Sequence, residues 1–401
     1  MPSGRATNRQ GHFVPRPFNV FNKWILPILL SVLLMGACMG LAQSGQQAAN
    51  QTDASPFEVD PAKGRDFREI SVHPNGQELL FTECVYDPKL DPGGGCYVLR
   101  YHLTTKSLQR YALPVGYFYR TASFSPRGSY VLMSRAPKTD GSEEKVRQAH
   151  ENAEIVLMKT DGTDFKVLPL AIGNKVAPIM SPDETRVAYW RSTVRPPGSK
   201  SFSSQFDVWE VNLNIGQDSL YAGPFAFFER DRLQYLSQDD MLVGAYGSIT
   251  MLREHAQSMT EYEKKYNHSE MYRIQRGMTT LPEPILTEVA HAGFPSVDKT
   301  GNLYFKGQRP GISLFRKTTQ GEIEQWKWPL RYAPGESGGG WHDLVPAPDG
   351  SYIAFVYEIK GTATRDEKRG VGLLMTHTSE WRILNLPPLH LSIPIAVKAA
   401  N

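Results

Sequence analysis

The chain predicts an all-β fold, a six-bladed β-propeller of four-stranded antiparallel blades with a short helical insertion in blade four. Three observations carry that reading. A Ser-Pro-Asp-Gly-like turn recurs six times along the chain. The recurrences are close to evenly spaced. The 34 Gly and 29 Pro among 401 residues imply many short elements joined by tight turns. A composition of 40% hydrophobic, 11% aromatic and 21% charged residues excludes a disordered chain, a collagen and a multi-span membrane protein.

The first segment reads as an export signal. Met1–Lys23 is polar and basic, and Trp24–Ala42 is a nearly unbroken apolar run. That order is the pattern of a secretory signal peptide. Gly40 and Ala42 stand at the −3 and −1 positions of a signal-peptidase site, and Met35-Gly36-Ala37-Cys38 resembles a bacterial lipobox that would lipidate Cys38. Retained, the run is just long enough to anchor in a bilayer. All three outcomes place the remainder outside the cytoplasm, joined to the membrane only through residues 1–42 or a lipid on Cys38. Residues 43–56 are a flexible linker. The propeller spans 57–390, and 391–401 is a C-terminal tail. Lys and Arg total 44 against 41 acids, a formal +3. Arg5, Arg9, Arg16 and Lys23 all precede the linker with no acid among them. The folded part therefore has no basic surplus, which argues against a nucleic-acid partner.

The repeat appears as SVHPNG at 71–76, SFSPRG at 123–128 and IMSPDE at 179–184. It continues as YLSQDD at 235–240, SVDKTG at 296–301 and VPAPDG at 345–350. Equivalent positions are Pro74, Pro126, Pro182, Gln238, Lys299 and Pro348, which lie 49 to 61 residues apart. Proline presets φ at the corner, and Asn, Asp and Gly support a tight reversal between two strands. An apolar strand follows each turn (ELLFTEC, YVLMSR, RVAYWR, MLVGAYG, LYFKG, YIAFVYE). A third strand and a more polar fourth come next, the fourth being EPILTE at 283–288 in blade four. Repetition of such units around an axis is how a propeller shields its sheet edges. Phe57–Asp60 or Leu391–Val397 could supply a strand that closes the ring.

These turns and strands resemble the TolB-type propellers over about 65–385, without the N-terminal domain of TolB itself. The resemblance implies the propeller architecture, while the lack of a catalytic set, the export signal and the use of the chain for blades point to a non-enzymatic scaffold that binds a protein in the cell envelope. Related propellers, the oligogalacturonate lyases, are enzymes. They give the alternative of a channel-mouth enzyme or a binder of a small acidic ligand.

Cys84 and Cys96 end two predicted strands at the mouth of the loop Val85–Gly95, where a disulfide would staple the hairpin in an oxidising compartment. No cofactor or metal is expected. The ten histidines form no HExxH, and Asp87 and Asp91 lack calcium-loop spacing. Gly335-Glu336-Ser337-Gly338-Gly339 matches a nucleophile elbow only formally, because no strand–helix context of a hydrolase surrounds Ser337. Segments entering the inner strands carry Arg68, Arg120, Lys175, Arg232, His291 and His342, a ring of cations and imidazoles suited to an acidic ligand.

Long connections between strands two and three, at Val85–Gly95, Ala136–Asn152, Ser192–Ser204, Gly247–His268 and Lys360–Gly370, fall on one face. In the longest, Met251, His255, Met259, Tyr262 and Tyr266 form one stripe of a helix. Recognition by a protein partner is expected on that face.

Overall fold

The computed structural model describes residues 65–400 apart from 86–94, 140, 193–204, 228–229, 247–268, 287–288, 290–291, 308–312, 328–339 and 360–367. Six antiparallel sheets follow one another along the chain. Blade one is β1 (Arg65–Val72), β2 (Glu78–Val85), β3 (Gly95–His102) and β4 (Leu108–Ala112). Blade two is β5 (Tyr117–Phe124), β6 (Tyr130–Pro137), β7 (Glu154–Lys159) and the short β8 (Lys166–Val167). Blade three is β9 (Lys175–Met180), β10 (Arg186–Ser192), β11 (Phe206–Asn212) and β12 (Gln217–Leu220). Blade four has β13 (Arg230–Tyr235), β14 (Asp240–Tyr246) and β15 (Ser269–Gln275). Blade five is β16 (Gly293–Val297), β17 (Leu303–Gly307), β18 (Ser313–Lys317) and β19 (Ile323–Lys327). Blade six is β20 (Gly340–Pro346), β21 (Tyr352–Ile359), β22 (Lys368–Met375) and β23 (Glu380–Ile383).

The fourth strand expected at 283–288 in blade four does not form over its described residues. Only the Ile285 amide reaches the Met271 carbonyl, at 2.9 Å. Pro282 and Pro284 lack N–H groups, so a regular ladder cannot extend through them. The helix expected in blade four, with Met251, His255, Met259, Tyr262 and Tyr266, lies outside the described residues. The described helix, α1 (Glu143–Glu151), sits instead in the β6–β7 connection of blade two. It contains neither Gly nor Pro, and Glu144 ties Arg147 and Gln148 one turn on, at 2.7 and 3.0 Å. Such pairs support a short helix.

Each second strand carries a run of apolar residues at its centre because both faces of a blade are buried. All eight residues of β2 are buried. Leu79 and Phe81 face blade six, whereas Leu80 faces blade two. One hydrophobic cluster fills each of the six seams, including the seam that closes blade six on blade one. In the closing seam Phe67, Leu79, Phe81 and Leu99 meet Tyr352, Ala354, Val371 and Leu373.

The tight turns stitch the ring on one face. The His73 ring bonds the Gly128 carbonyl at 3.3 Å, and the Arg127 amide donates to the Glu184 carboxylate at 2.9 Å. The Lys299 amide donates to the Pro348 carbonyl at 2.9 Å, and the Tyr352 hydroxyl to the Gly76 carbonyl at 3.0 Å. Gly76, Gly128, Gly301 and Gly350 all take positive φ in these turns; Glu184 does so in blade three, at +61°.

Closure also uses the tail. β24 (Ile393–Ala396) adds to the outside of β4 in parallel register, with Ile393 opposite Gln109 and Ala396 opposite Ala112. The chain then bonds blade two. The Phe165 amide reaches the Lys398 carbonyl and the Lys398 amide reaches the Gly162 carbonyl, both at 2.9 Å. Gly162 has φ +88°, and a Cβ there would stand 2.3 Å from the Ala396 carbonyl oxygen. Ile395 and Val397 pack on the cluster between blades one and two. The expected disulfide is formed: Cys84 and Cys96 are directly opposed in the β2–β3 ladder and bonded to each other.

Ending the chain at His390 should cost roughly 3 kcal/mol, from two half-buried aliphatic side chains and several backbone hydrogen bonds. Hydrogen exchange should quicken at 108–112 and 162–167 and stay unchanged in blade five. Unaltered exchange at both segments would count against the tail as a strap.

Candidate functional site: the central channel

The six inner strands β1, β5, β9, β13, β16 and β20 line the channel, and every one carries one extra residue relative to its neighbour. The irregularities fall between Arg68 and Ile70, Arg120 and Ser123, Val176 and Ile179, Arg230 and Leu233, Gly293 and Ser296, and Trp341 and Asp343. A bulge of this kind sharpens the local twist and re-aims a side chain. Glu69, Thr121, Ala177 and Phe294 adopt φ of 41°, 51°, 51° and 56° within them. That conformation costs a non-glycine residue about 1–2 kcal/mol, so surrounding bonds must hold it. They do: the Thr121 hydroxyl accepts from the Ala177 amide at 3.1 Å and the Ser71 hydroxyl from the Phe124 amide at 3.1 Å. The Ser123 hydroxyl donates to the Pro178 carbonyl at 2.8 Å.

Within this frame lies a cavity of about 770 Å³, lined from all six blades. Its charged wall is built from opposed pairs. Asp343 is buried and accepts from the Ile70 amide at 2.8 Å, the Leu344 amide at 2.9 Å and Arg232 at 2.5 Å. Arg232 also donates to the Ile70 carbonyl at 2.5 Å, so a blade-four side chain reaches the closing seam between blades six and one. Asp66 accepts from Arg68 at 2.6 Å and from Arg369, which also bonds Glu358 at 3.0 Å.

Two lining groups differ. One carboxylate oxygen of Glu69, Oε2, is buried without a hydrogen-bond partner, and so is Nε of Arg120. Loss of water raises the Glu69 carboxyl above its ordinary value, and the nearby Asp343 charge adds to the shift. The Thr121 amide, Arg68 and Arg120 oppose it. Among the described residues, no hydrogen bond or ion pair reaches the Arg120 guanidinium.

Of the expected cationic ring, Arg68, Arg120 and Arg232 do line the channel together. Lys175 does not. Its ammonium is buried in the seam between blades two and three, donating to the Ala153 carbonyl at 2.7 Å and the Gly173 carbonyl at 3.0 Å. As the first residue of β9 it precedes the bulge, and its long stem reaches back to those carbonyls. His291 lies outside the described residues, as does the His342 side chain. Cys38, Asp87, Asp91 and Ser337 also lie outside them. Sequence reasoning missed the acids Asp66, Glu69, Asp231 and Asp343 and the blade-six Arg369, all on the same wall. A signal existed, since Glu69 and Asp343 stand at the same offset before Pro74 and Pro348. Among the described residues, no group of three or more His, Cys, Asp or Glu is placed to hold a metal ion.

No family model and no curated protein matches the chain. Solved structures do. A puromycin-hydrolysing peptidase of Mycobacterium tuberculosis is 13% identical with a TM-score of 0.47, over 81% of this chain and 55% of that one. TolB from Acinetobacter baumannii is 13% identical with a TM-score of 0.37, over 72% and 65%. An oligogalacturonate lyase from Vibrio parahaemolyticus is 10% identical with a TM-score of 0.46, over 78% and 76%. The chain spans just over half of the peptidase, and 26% of the tricorn protease that it also matches.

Burial lowers the Lys175 ammonium to about 8, and the Arg191 charge works in the same direction. Between that value and the ordinary 10.5, the unfolded chain holds a proton that the folded one has released. Stability must therefore rise with pH across this window. Relative to Lys175→Met, the wild type should gain at most about 3 kcal/mol from pH 8 to pH 10.5, read from urea midpoints. A flat difference would show that the ammonium is better hydrated than its surroundings indicate.

Proposed function

We propose that the chain is an exported, TolB-like binding propeller, which captures a partner protein of the cell envelope on the face that carries its long connections. It performs no covalent chemistry of its own. The observation that carries this reading is the division of labour between the two faces. β1 runs from Arg65, opposite Val85 at the mouth of the first long connection, to Val72 beside the tight turn. The other inner strands are oriented likewise, so the charged end of the channel lies toward the strand ends from which the long connections leave. The opposite face is occupied by turns bonded to one another across the seams.

Further support comes from the chemistry of the wall. Asp66 and Asp343 are saturated by arginine and amide donors, which suits a scaffold better than proton transfer. The basic and apolar N-terminal sequence and the Cys84–Cys96 bridge support residence in an oxidising compartment outside the cytoplasm.

Site-specific photo-crosslinking tests the reading. A crosslinker at Lys145, exposed on α1, should give one discrete adduct with an envelope protein in intact cells. A crosslinker at Arg127, exposed on a tight turn, should give none. An adduct confined to Arg127 would sink the assignment of the face. Alkylation of Cys84 and Cys96 in native protein without reductant would sink the exported compartment.

A further inference from the structure

We infer that the channel contains an anion site for a single carboxylate group, anchored by the Arg120 guanidinium and completed by the Glu69 carboxyl. The inference goes beyond partner capture, because it concerns a ligand within the ring itself.

The argument begins with which charges are already neutralised. Arg68 and Arg369 share Asp66, Arg369 also holds Glu358, and Arg232 holds Asp343. Arg120 has no such counterpart among the described residues, and its Nε is buried with no acceptor. The buried Nε of Arg120 has given up water without gaining an acceptor, which is unfavourable for a charged donor. An incoming anion would supply that acceptor. The fork of N–H donors matches a planar carboxylate in two parallel bonds.

Glu69 supplies the second half. It stands on the neighbouring blade within the electrostatic reach of Arg120, with Oε2 unpartnered. Burial raises its carboxyl above the ordinary value, and whenever that carboxyl holds a proton it is an O–H donor. Arg120, bonded by none of the acids of the wall, is the complement of a single carboxylate group. Asp66 and Asp343 in the same wall would repel a dianion such as phosphate. A cavity of about 770 Å³ admits either a small organic acid or the C-terminal end of a peptide entering from the face of the long connections. Both present the same group.

Isothermal titration of the purified chain separates these sources. The probes are benzoate, the tripeptide Ala-Ala-Phe as free acid, the same tripeptide as C-terminal amide, and inorganic phosphate. At least one free acid should bind saturably. Tighter binding of the tripeptide acid identifies a peptide C-terminus, and tighter binding of benzoate a small acid. For the tripeptide, the amide should bind at least about tenfold more weakly than the acid. Arg120→Gln should weaken the bound acid by at least about tenfold while keeping the native thermal midpoint, because it removes an unpaired group. Arg120→Lys should fall between the two. Glu69→Gln, which retains a donor, should stay within about threefold of wild type. Lys327→Gln, exposed on the outer strand β19 and outside the cavity lining, should leave binding unchanged. No binding by either acid, equal binding by a tripeptide acid and its amide, full binding by Arg120→Gln, or preference for phosphate would each overturn the site. None of these results bears on the crosslinking at Lys145.

Discussion

A propeller stands or falls on the burial of both faces of every blade. Each seam holds a cluster of aromatic and aliphatic side chains, and no blade can bury its own two faces. Were the last seam to open, the inner face of blade one and the outer face of blade six would both meet water. That closing seam brings together the two ends of the propeller, so chain connectivity does nothing to hold it. Here Phe67, Leu79 and Phe81 pack on Ala354, Val356 and Val371, and two polar clasps flank them. The Asp66–Arg369–Glu358 chain joins β1 to β21 and β22, and Asp343 joins β20 to the Ile70 amide. The tail adds a third device of a different kind. Instead of exchanging a strand between the last and first blades, it lies along the outer edge of blade one and continues onto blade two. It also covers an edge strand whose unpaired amides would otherwise invite association.

The polar channel follows from the same constraint. Inner strands converge on the axis, and a flat strand would point its side chains into its neighbours' backbones. One extra residue in each turns the chain locally, and the freed position faces the axis. At the left-handed residues Glu69 and Ala177, the Asp343 carboxylate and the Thr121 hydroxyl of adjacent blades bond the displaced amides of Ile70 and Ala177. Asp343 illustrates the economy of this arrangement. It satisfies a backbone amide of the next blade and at the same time neutralises Arg232 from across the channel. The channel wall is thus first a structural lattice, and only groups left over from that lattice are available to a ligand.

This explains what could be read from the sequence and what could not. The turns and second strands were legible because Pro, Asn, Asp and Gly at corners and doubly buried apolar runs are local signals. The pairing of Cys84 with Cys96 was legible because both lie at one hairpin mouth. Three features were not. In blade four, Pro282 and Pro284 break a ladder that the repeat alone predicts. α1 is too short and polar to show a period. The channel was read as a cationic ring because cations were sought alone. The carboxylate partner of Arg232 comes from another blade, and Asp66 beside Arg68 is shared with Arg369, hundreds of residues away. Lys175 shows the converse error, since a position beside the mouth in topology can send a flexible stem into a seam.

The two faces therefore differ in what they can still do. On one, short turns spend their carbonyls and amides on neighbouring turns, so a change there disturbs the seams directly. On the other, the connections leave strands that the ladder, the disulfide and the clusters already hold, and their lengths vary from blade to blade without altering the ring. Variation in length is cheap only where no seam depends on it. Arg120 and Glu69 stand in the half of the inner strands that lies away from the tight turns, on the side of this permissive face. The proposed docking face and the proposed anion site therefore make no competing demand on the seams that hold the ring.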